Sequence, residues 1–220
     1  MNEFLIILSI LLVFSGVVLV KKFFGKEGLI GWIGIATILA EIGVTKQVNM
    51  FGLSLTLGNV LFASNFLATD ILSECYGVKE AKKGVKFGIV SVIVFIIASQ
   101  LMVAFIPNEI DYMQDSMRNM FSLIPRVCIS SAIMYSIANY ADVKLYDKLK
   151  KLTKGKYMWF RNNISTIICN GLENFFFTFF AFVGIFSMKE IIIIGLSTTL
   201  IEVLIAICDT PFLYLAKKIK

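Results

Sequence analysis

Six acidic side chains lie inside or beside long apolar segments of this chain, where an unpaired charge is costly. A charged side chain at the centre of a bilayer costs about 2.5–3.5 kcal/mol on insertion scales, so such residues face a bundle interior, pair with one another or line a wet cavity. One basic residue, Arg126, is embedded with them. The six acids are Glu41, Asp70, Glu173, Glu202 and Asp209 within the apolar segments, and Glu74 at the edge of one. Because Glu41 and Glu74 lie near segment ends, we expect them to extend to the membrane interface.

Helical spacing places most of these residues on narrow polar stripes, since each residue turns an α-helix by about 100°. Four apolar segments carry such a stripe, and the others are expected to support them. In chain order the stripes are Asn59, Phe62, Phe66 and Asp70; Ser122, Arg126 and Ser130; Asn163, Thr166, Asn170, Glu173 and Asn174; and Gly195, Thr198, Glu202, Ala206 and Asp209.

Carboxylates and amides flanked by aromatic rings suit a small, flat, polar ligand. A carboxylate accepts two parallel hydrogen bonds from a ring N–H and a neighbouring amine. Asparagine or arginine can meet a ring carbonyl, and phenylalanine can stack on the ring face. A guanine-like base fits this set, although many small zwitterions or cations would fit as well, whereas a phosphorylated ligand fits poorly beside a single cation.

The chain contains no histidine, which excludes imidazole relays, Ser-His triads and His-ligated metals. Any proton relay within the helices must therefore use carboxylates, and Glu202 and Asp209 are the candidates for coupling. The sequence predicts neither a metal site nor a cofactor.

The elements that position these residues are membrane helices. Of the 220 residues, 58% are hydrophobic and only 16% are charged, and the mean hydropathy is +0.83. Such a composition nearly excludes a water-soluble globule. It predicts one all-α domain over residues 1–220, a polytopic bundle of seven transmembrane helices. The seven apolar segments are 4–20, 29–44, 53–73, 85–106, 120–140, 164–186 and 190–215.

Basic residues predict the topology, because cytoplasmic loops carry the lysine and arginine excess. Of the 21 basic residues, seventeen lie in the first, third and fifth connections and the C-terminal tail, and three lie in the alternate connections. The amino terminus is thus expected outside and the carboxyl terminus in the cytoplasm. The basic run 144–161 is interpreted as a cytoplasmic loop rather than a nucleic-acid site, and segment 4–20 as a retained helix rather than a signal peptide.

Residues 51–57, with the sequence FGLSLTL, alternate apolar and polar side chains and predict an extended segment. Two interpretations stay open for this stretch. It is either a broken or re-entrant entry to the third helix, which occurs where backbone lines a cavity, or an ordinary external loop.

Four stretches closely resemble the queuosine precursor transporter family. They are NVLFASNFLATDILSECYG (59–77), IPRVCISSAIMYSIANYADVKLYDKL (124–149), NISTIICNGLENFFFTFFAF (163–182) and DTPFLYL (209–215). The resemblance covers residues 29–215, a six-helix core, and leaves residues 1–28 as a variable N-terminal helix. It implies a multi-pass protein of the bacterial inner membrane that imports deazaguanine precursors of the tRNA base queuosine.

The resemblance also implies which residues bind the ligand. It places the family's signature acid at Asp70, its embedded arginine at Arg126, and its amide and acid pair at Asn170 and Glu173. Asn59 and Asn174, from the polar stripes, complete the predicted substrate-binding set.

The predicted function is membrane import of cyano- or aminomethyl-deazaguanine or of queuine, coupled to protons or another ion, with no enzymatic activity. The first alternative is a substrate-binding subunit that needs a separate ATPase module. An intramembrane aspartyl enzyme using Asp70 and Asp209, and a non-transporting scaffold, are weaker alternatives. Expected partners are the base and the lipid bilayer but no nucleic acid, and both a homodimer and a separate energising module stay open.

Overall fold

The computed structural model describes residues 1–121, 124–184 and 187–219. The predicted all-α architecture is confirmed over these ranges, with one two-stranded β-hairpin added. The elements are α1 Asn2–Val44, β1 Gln47–Met50, β2 Leu53–Thr56, α2 Asn59–Cys75, α3 Val78–Ala104, α4 Gln114–Phe121, α5 Ile124–Leu152, α6 Met158–Phe182 and α7 Met188–Lys218.

The first element, α1, contains two antiparallel helices that reverse direction at Gly25. This residue has φ 61° and ψ −140°, a left-handed backbone conformation that favours glycine. A Cβ on Gly16 would lie 2.7 Å from the ring of Trp32, although sixteen residues of straight helix would span about 24 Å. At the open end of the hairpin, the amide of Asn2 donates to the carbonyl of Asn49 at 2.9 Å. The first two apolar segments are therefore separate helices, as predicted.

The extended segment predicted at 51–57 is part of an antiparallel hairpin, in which β1 pairs with β2. Phe51 and Gly52 both have positive φ, 51° and 75°, as in the tight turns that suit the twist of a hairpin. The third helix therefore starts at Asn59, later than the predicted segment 53–73.

All seven predicted apolar segments contain helix, and four helices are long and apolar enough to cross a membrane. In the described part of the chain these four are α1, α3, α6 and α7. By contrast, α2 has only 17 residues, and α5 carries a lysine-rich second half. Since α1 is itself a hairpin, the number of spans is not given by the number of helices, and the count of seven stays a prediction.

The predicted cytoplasmic loop 144–161 is mostly helical. Helix α5 continues to Leu152 and α6 begins at Met158, so the connection is only a few residues long. Lys144, Lys148 and Lys151 occupy one exposed face of α5, while Val143 and Tyr146 on the other face are buried. Lys150 lies on that second face and binds Glu74. An amphipathic extension explains the pattern, because the helix continues past residue 140, the predicted end of the fifth apolar segment.

Helix α2 lies at the centre of the bundle and packs against α1, α3, α5 and α7. Every residue from Ala63 to Ser73 is buried. Helix α3 packs closely against α2 at Gly84, where a Cβ would lie 3.0 Å from the side chain of Leu72. Polar residues on α2 therefore face other helices on all sides.

The four segments with the basic excess meet at one end of the bundle, which we call the basic end. The ammonium of Lys21, in the α1 turn, donates to the carbonyls of Ala216 and Ile219 near the carboxyl terminus at 2.5 and 2.7 Å. The ammonium groups of Lys150 and Lys217 both bind the carboxylate of Glu74. The predicted basic connections and tail thus share one end, as the charge pattern requires.

The opposite end is covered by α4, a short helix that was not predicted. Its last residue, Phe121, packs edge-on against Phe95 of α3, with the ring centroids 6.1 Å apart. The amide of Gln100 donates to the carbonyl of Phe121 at 3.0 Å.

Candidate functional site

Three cations surround Glu74 at the last turn of α2, just beyond the third predicted apolar segment. Its carboxylate lies 2.6 Å from Arg161, 2.6 Å from Lys217 and 3.0 Å from Lys150. Burial raises the pKa of Glu74, but hydrogen bonds from Lys217, Lys150 and Arg161 outweigh that effect and lower the pKa to about 2. We call these four residues the Glu74 ion cluster. It joins α2, α5, α6 and α7.

One helical turn before Glu74 lies a carboxyl group in the opposite situation. Asp70 lies within hydrogen-bonding reach of the Asp142 carboxyl and within electrostatic range of Asp209. Asp209 in turn lies within electrostatic range of Asp142. All three side chains are fully buried. We call them the aspartate triad, and its members come from α2, α5 and α7.

The triad is rich in acceptors and poor in donors. Among the described residues, no N–H or O–H group donates to either oxygen of Asp70 or Asp142, and the Ser165 hydroxyl beside Asp142 donates instead to the carbonyl of Asn162 at 3.3 Å. The amide of Asn162 donates to Oδ1 of Asp209 at 2.6 Å. Among the described residues, Oδ2 of Asp209 and Oδ1 of Asn162 have no partner.

Two carboxyl groups can hydrogen-bond only if one carries a proton. Buried acceptors of this kind require protons, water or a ligand with N–H groups.

Arg161 lies within electrostatic range of Asp70, but its hydrogen bonds go elsewhere. One terminal nitrogen donates to Glu74, and the other donates to the carbonyls of Gly155 and Lys156 at 3.1 and 2.9 Å. The guanidinium also lies 5.4 Å from the ring centroid of Tyr146. Arg161 therefore anchors the Glu74 ion cluster and forms no ion pair with the triad.

Glu41 does not extend to the interface, contrary to the prediction. Its side chain is buried, and it accepts hydrogen bonds from Ser131 at 2.5 Å and from Cys128 at 3.3 Å. Glu74 lies at the basic end, but its side chain is only 4% exposed because three cations hold it. Specific partners from other helices replace water for both residues.

A second group of acids, two buried and one half-buried, lies elsewhere in the bundle. Glu202 accepts a hydrogen bond from the amide of Asn174 at 2.5 Å. Glu173, on the same helix as Asn174, is within electrostatic range of Glu202 and Glu41. We call Glu41, Glu173 and Glu202 the glutamate group. It draws on α1, α6 and α7.

The predicted site residues divide between these two places. Asp70 lies with Asp209, and Glu173 and Asn174 lie with Glu202. Asn59 is eleven residues from Asp70 on α2, about 16 Å along the helix axis, so these two do not meet in this structure. The side chain of Arg126, and Ser122 on the same stripe, lie outside the described part. The buried members of the predicted set are Asn59, Asp70, Asn170, Asn174, Glu202 and Asp209.

Sequence reasoning missed Asp142 and Arg161. Asp142 lay just beyond the predicted end of the fifth segment, and Arg161 was counted with the basic loop. A signal for Asp142 was present, because Tyr135, Asn139, Asp142 and Tyr146 recur at helical spacing, and all four are fully buried. The lysines that follow Asp142 in the sequence led to the prediction of a loop there, so this stripe was not recognised.

Comparison with known proteins agrees with a membrane transporter. Residues 56–216 match the family model described as "Putative vitamin uptake transporter". The chain is 36% identical over 218 residues to the "Probable queuosine precursor transporter" of Bacillus subtilis (strain 168), covering 99% of this chain and 95% of that protein. No solved structure matches the chain.

The helical fold with several apolar spans and these matches define a multi-pass membrane protein of a transporter class. The chain belongs to the vitamin uptake transporter family, and its Bacillus subtilis relative is named for queuosine precursors.

Proposed function

We propose that this protein imports queuosine precursors, the deazaguanine-type bases, and that it is not an enzyme. The observation that carries the proposal is Asp70: a buried carboxylate to which none of the described residues donates, in a chain 36% identical to a "Probable queuosine precursor transporter" over 99% of its length. The N–H and amine edge of a deazaguanine supplies two parallel donors, which matches the two oxygens of one carboxylate.

Aromatic and amide groups near Asp70 support the same ligand. Phe66 is one turn before Asp70 on α2 and packs in a small cluster with Cys169 of α6. Cys169 is within electrostatic range of Asp70, Asp142 and Glu173, so it lies between the aspartate triad and the glutamate group. We infer that the base enters this region, with Asn170 beside it. Asn59, Arg126, Glu173 and Asn174 remain our candidates for the outer part of the path.

The proposed topology has seven spans, with the amino terminus outside and the basic end in the cytoplasm. It is supported by the convergence of the basic connections at one end and by the reversal at Gly25. In this orientation the aspartate triad lies near the cytoplasmic end, one turn from the Glu74 ion cluster.

The import is proposed to be driven by protons or another ion, with Glu202 as the first candidate for the coupling group. Its carboxylate is buried and has one amide donor, Asn174. Asp209 is the second candidate for this role, and it lies in the aspartate triad. The alternative, a binding subunit that needs an ATPase module, is tested by the pure protein in liposomes. Uptake driven by a proton gradient alone would exclude that alternative.

The substrate is tested by expression in a queuosine-auxotrophic bacterium that lacks its own transporter. We expect a low concentration of at least one of the three bases to restore queuosine in tRNA. The Asp70→Asn variant should fail at the same membrane level, whereas Glu74→Gln, changed one turn away, should restore queuosine in proportion to the amount of folded protein. Normal restoration by Asp70→Asn would contradict the proposed site.

A further inference from the structure

The aspartate triad contains more carboxyl oxygens than the donor edge of a neutral base can satisfy. A neutral deazaguanine brings donors for one carboxylate, which in the proposed function is Asp70. Asp142 lies within hydrogen-bonding reach of Asp70, so these two can share one proton. Asp209 is then left as a buried carboxylate with one amide donor and one oxygen without a partner.

No cation of the described residues is placed to neutralise Asp209. Lys150, Arg161 and Lys217 are all bound to Glu74. Arg126 is sixteen residues from Asp142 on α5, about 24 Å along the helix axis, and therefore belongs to the other end of the bundle. A buried carboxylate without a cation is costly unless a proton or a ligand supplies the positive charge.

Two further groups point to a ligand at this place. Oδ1 of Asn162 is fully buried and has no partner among the described residues, and the same amide is fixed beside Asp209 by its 2.6 Å hydrogen bond. The Thr166 hydroxyl, one turn further along α6, is also fully buried, and no described residue is its partner. An oxygen pair formed by Asp209 and Asn162 has the chemistry that accepts the several N–H donors of an ammonium group.

We propose that Asp209 is a specificity residue that binds a protonated amine on the base, so that the protein selects cationic deazaguanines over neutral ones. This inference depends on the proposed function. Aminomethyl-deazaguanine and queuine carry such an amine, whereas cyano-deazaguanine does not. Asp70 binds the donor edge of the ring, and Asp209 on α7 binds the ammonium group with help from Asn162.

The test is equilibrium binding of the aminomethyl and cyano bases to the purified full-length protein in detergent, which needs no energy source. Wild type should bind the aminomethyl base at least tenfold more tightly than the cyano base. Asp209→Asn keeps the shape and an oxygen for the Asn162 amide but removes the charge, and it should reduce this ratio by tenfold or more. Asp209→Glu should retain a preference for the aminomethyl base, and the control Glu74→Gln should keep the wild-type ratio.

Equal affinity of the wild type for both bases, or a preference for the cyano base, would overturn the inference while leaving the proposed import intact. The inference would also be overturned if Asp209→Asn lost affinity for both bases equally, so that the ratio of the two affinities stayed unchanged. Asp209 would then have a coupling or structural role. If the folded wild type binds neither base nor queuine, both the inference and the proposed function fail.

Discussion

Asp70 and Glu74 are two buried carboxyl groups one turn apart on the same helix, and their surroundings are opposite. Glu74 is held by three cations at 2.6–3.0 Å, whereas neither oxygen of Asp70 receives a described donor and its close neighbours are other carboxyl groups. Burial alone therefore does not distinguish a structural acid from a functional one. The distinction lies in whether the fold supplies the partners, and in the proposed function a ligand supplies them at Asp70.

The largest effect is expected from Asp70→Asn, which keeps the shape and removes the charge. Loss of a buried, hydrogen-bonded charged partner costs about 2–5 kcal/mol, and about 1.4 kcal/mol corresponds to a tenfold change. Uptake of the preferred base should therefore fall by about 30-fold or more. Stability should not fall, because the change removes an uncompensated buried acid. Uptake in vesicles, normalised to protein in the membrane, measures the first effect, and thermal unfolding in detergent measures the second.

A lower unfolding temperature of Asp70→Asn, together with normal transport by the remaining folded protein, would contradict the difference drawn between Asp70 and Glu74. Asp70 would then be a structural residue like Glu74.

The next effect is expected from Glu74→Gln, and it should appear in stability. Removing one partner of a buried ion pair costs about 3–5 kcal/mol, because the other charge stays buried, and Arg161 is fully buried. The free energy of unfolding in detergent should fall by this amount, while the affinity of the folded protein for the base should stay within about twofold, well under 1 kcal/mol. A large loss of affinity at unchanged stability would reverse the roles assigned to the two acids.

The pH dependence of stability should show that Glu74 contributes to the ion cluster as a charged carboxylate. Because the pKa of Glu74 is lowered from 4.5 to about 2 in the folded protein, its contribution is present above the unfolded value and is lost as the pH falls through the folded value. The difference in unfolding free energy between wild type and Glu74→Gln should be constant near neutral pH and shrink as the pH falls from about 4.5 toward 2. A difference independent of pH over that window would show that Glu74 is not held as an ion.

The smallest effect is expected from Lys217→Ala, which removes the outermost member of the same cluster. The Lys217 side chain is 49% exposed, and exposed ion pairs contribute about 0–1 kcal/mol. The unfolding free energy should change by no more than that, since Arg161 and Lys150 remain on Glu74. A loss as large as that of Glu74→Gln would mean that Lys217 controls the cluster.

The sequence predicted the acids that stand out against apolar neighbours. Asp70, Glu202 and Asp209 interrupt long hydrophobic runs, and all three are buried, as expected from the cost of a charge in lipid. Runs of apolar residues also predicted the positions of the seven apolar segments. These predictions depend on local patterns, which a single sequence contains.

The sequence did not predict residues whose surroundings are set by distant contacts. Asp142 and Arg161 lie among lysines along the chain, so a loop was predicted, yet α5 and α6 bury both against other helices. The partners of Glu41, on α5, and of Glu74, on α5, α6 and α7, come from positions far away in the chain. Local hydropathy contains no information on such pairs.

The central claim is tested most directly by the change in unfolding temperature that a base produces in three purified proteins. A ligand that binds only the folded state stabilises it according to its affinity and concentration. At a saturating concentration of aminomethyl-deazaguanine, wild type and Glu74→Gln should show similar increases in unfolding temperature, although Glu74→Gln starts lower, and Asp70→Asn should show none. Two results would contradict the claim that Asp70 binds the base. The first is that the base raises the unfolding temperature of Asp70→Asn as much as that of wild type. The second is that the base raises the unfolding temperature of Asp70→Asn and wild type but not that of Glu74→Gln.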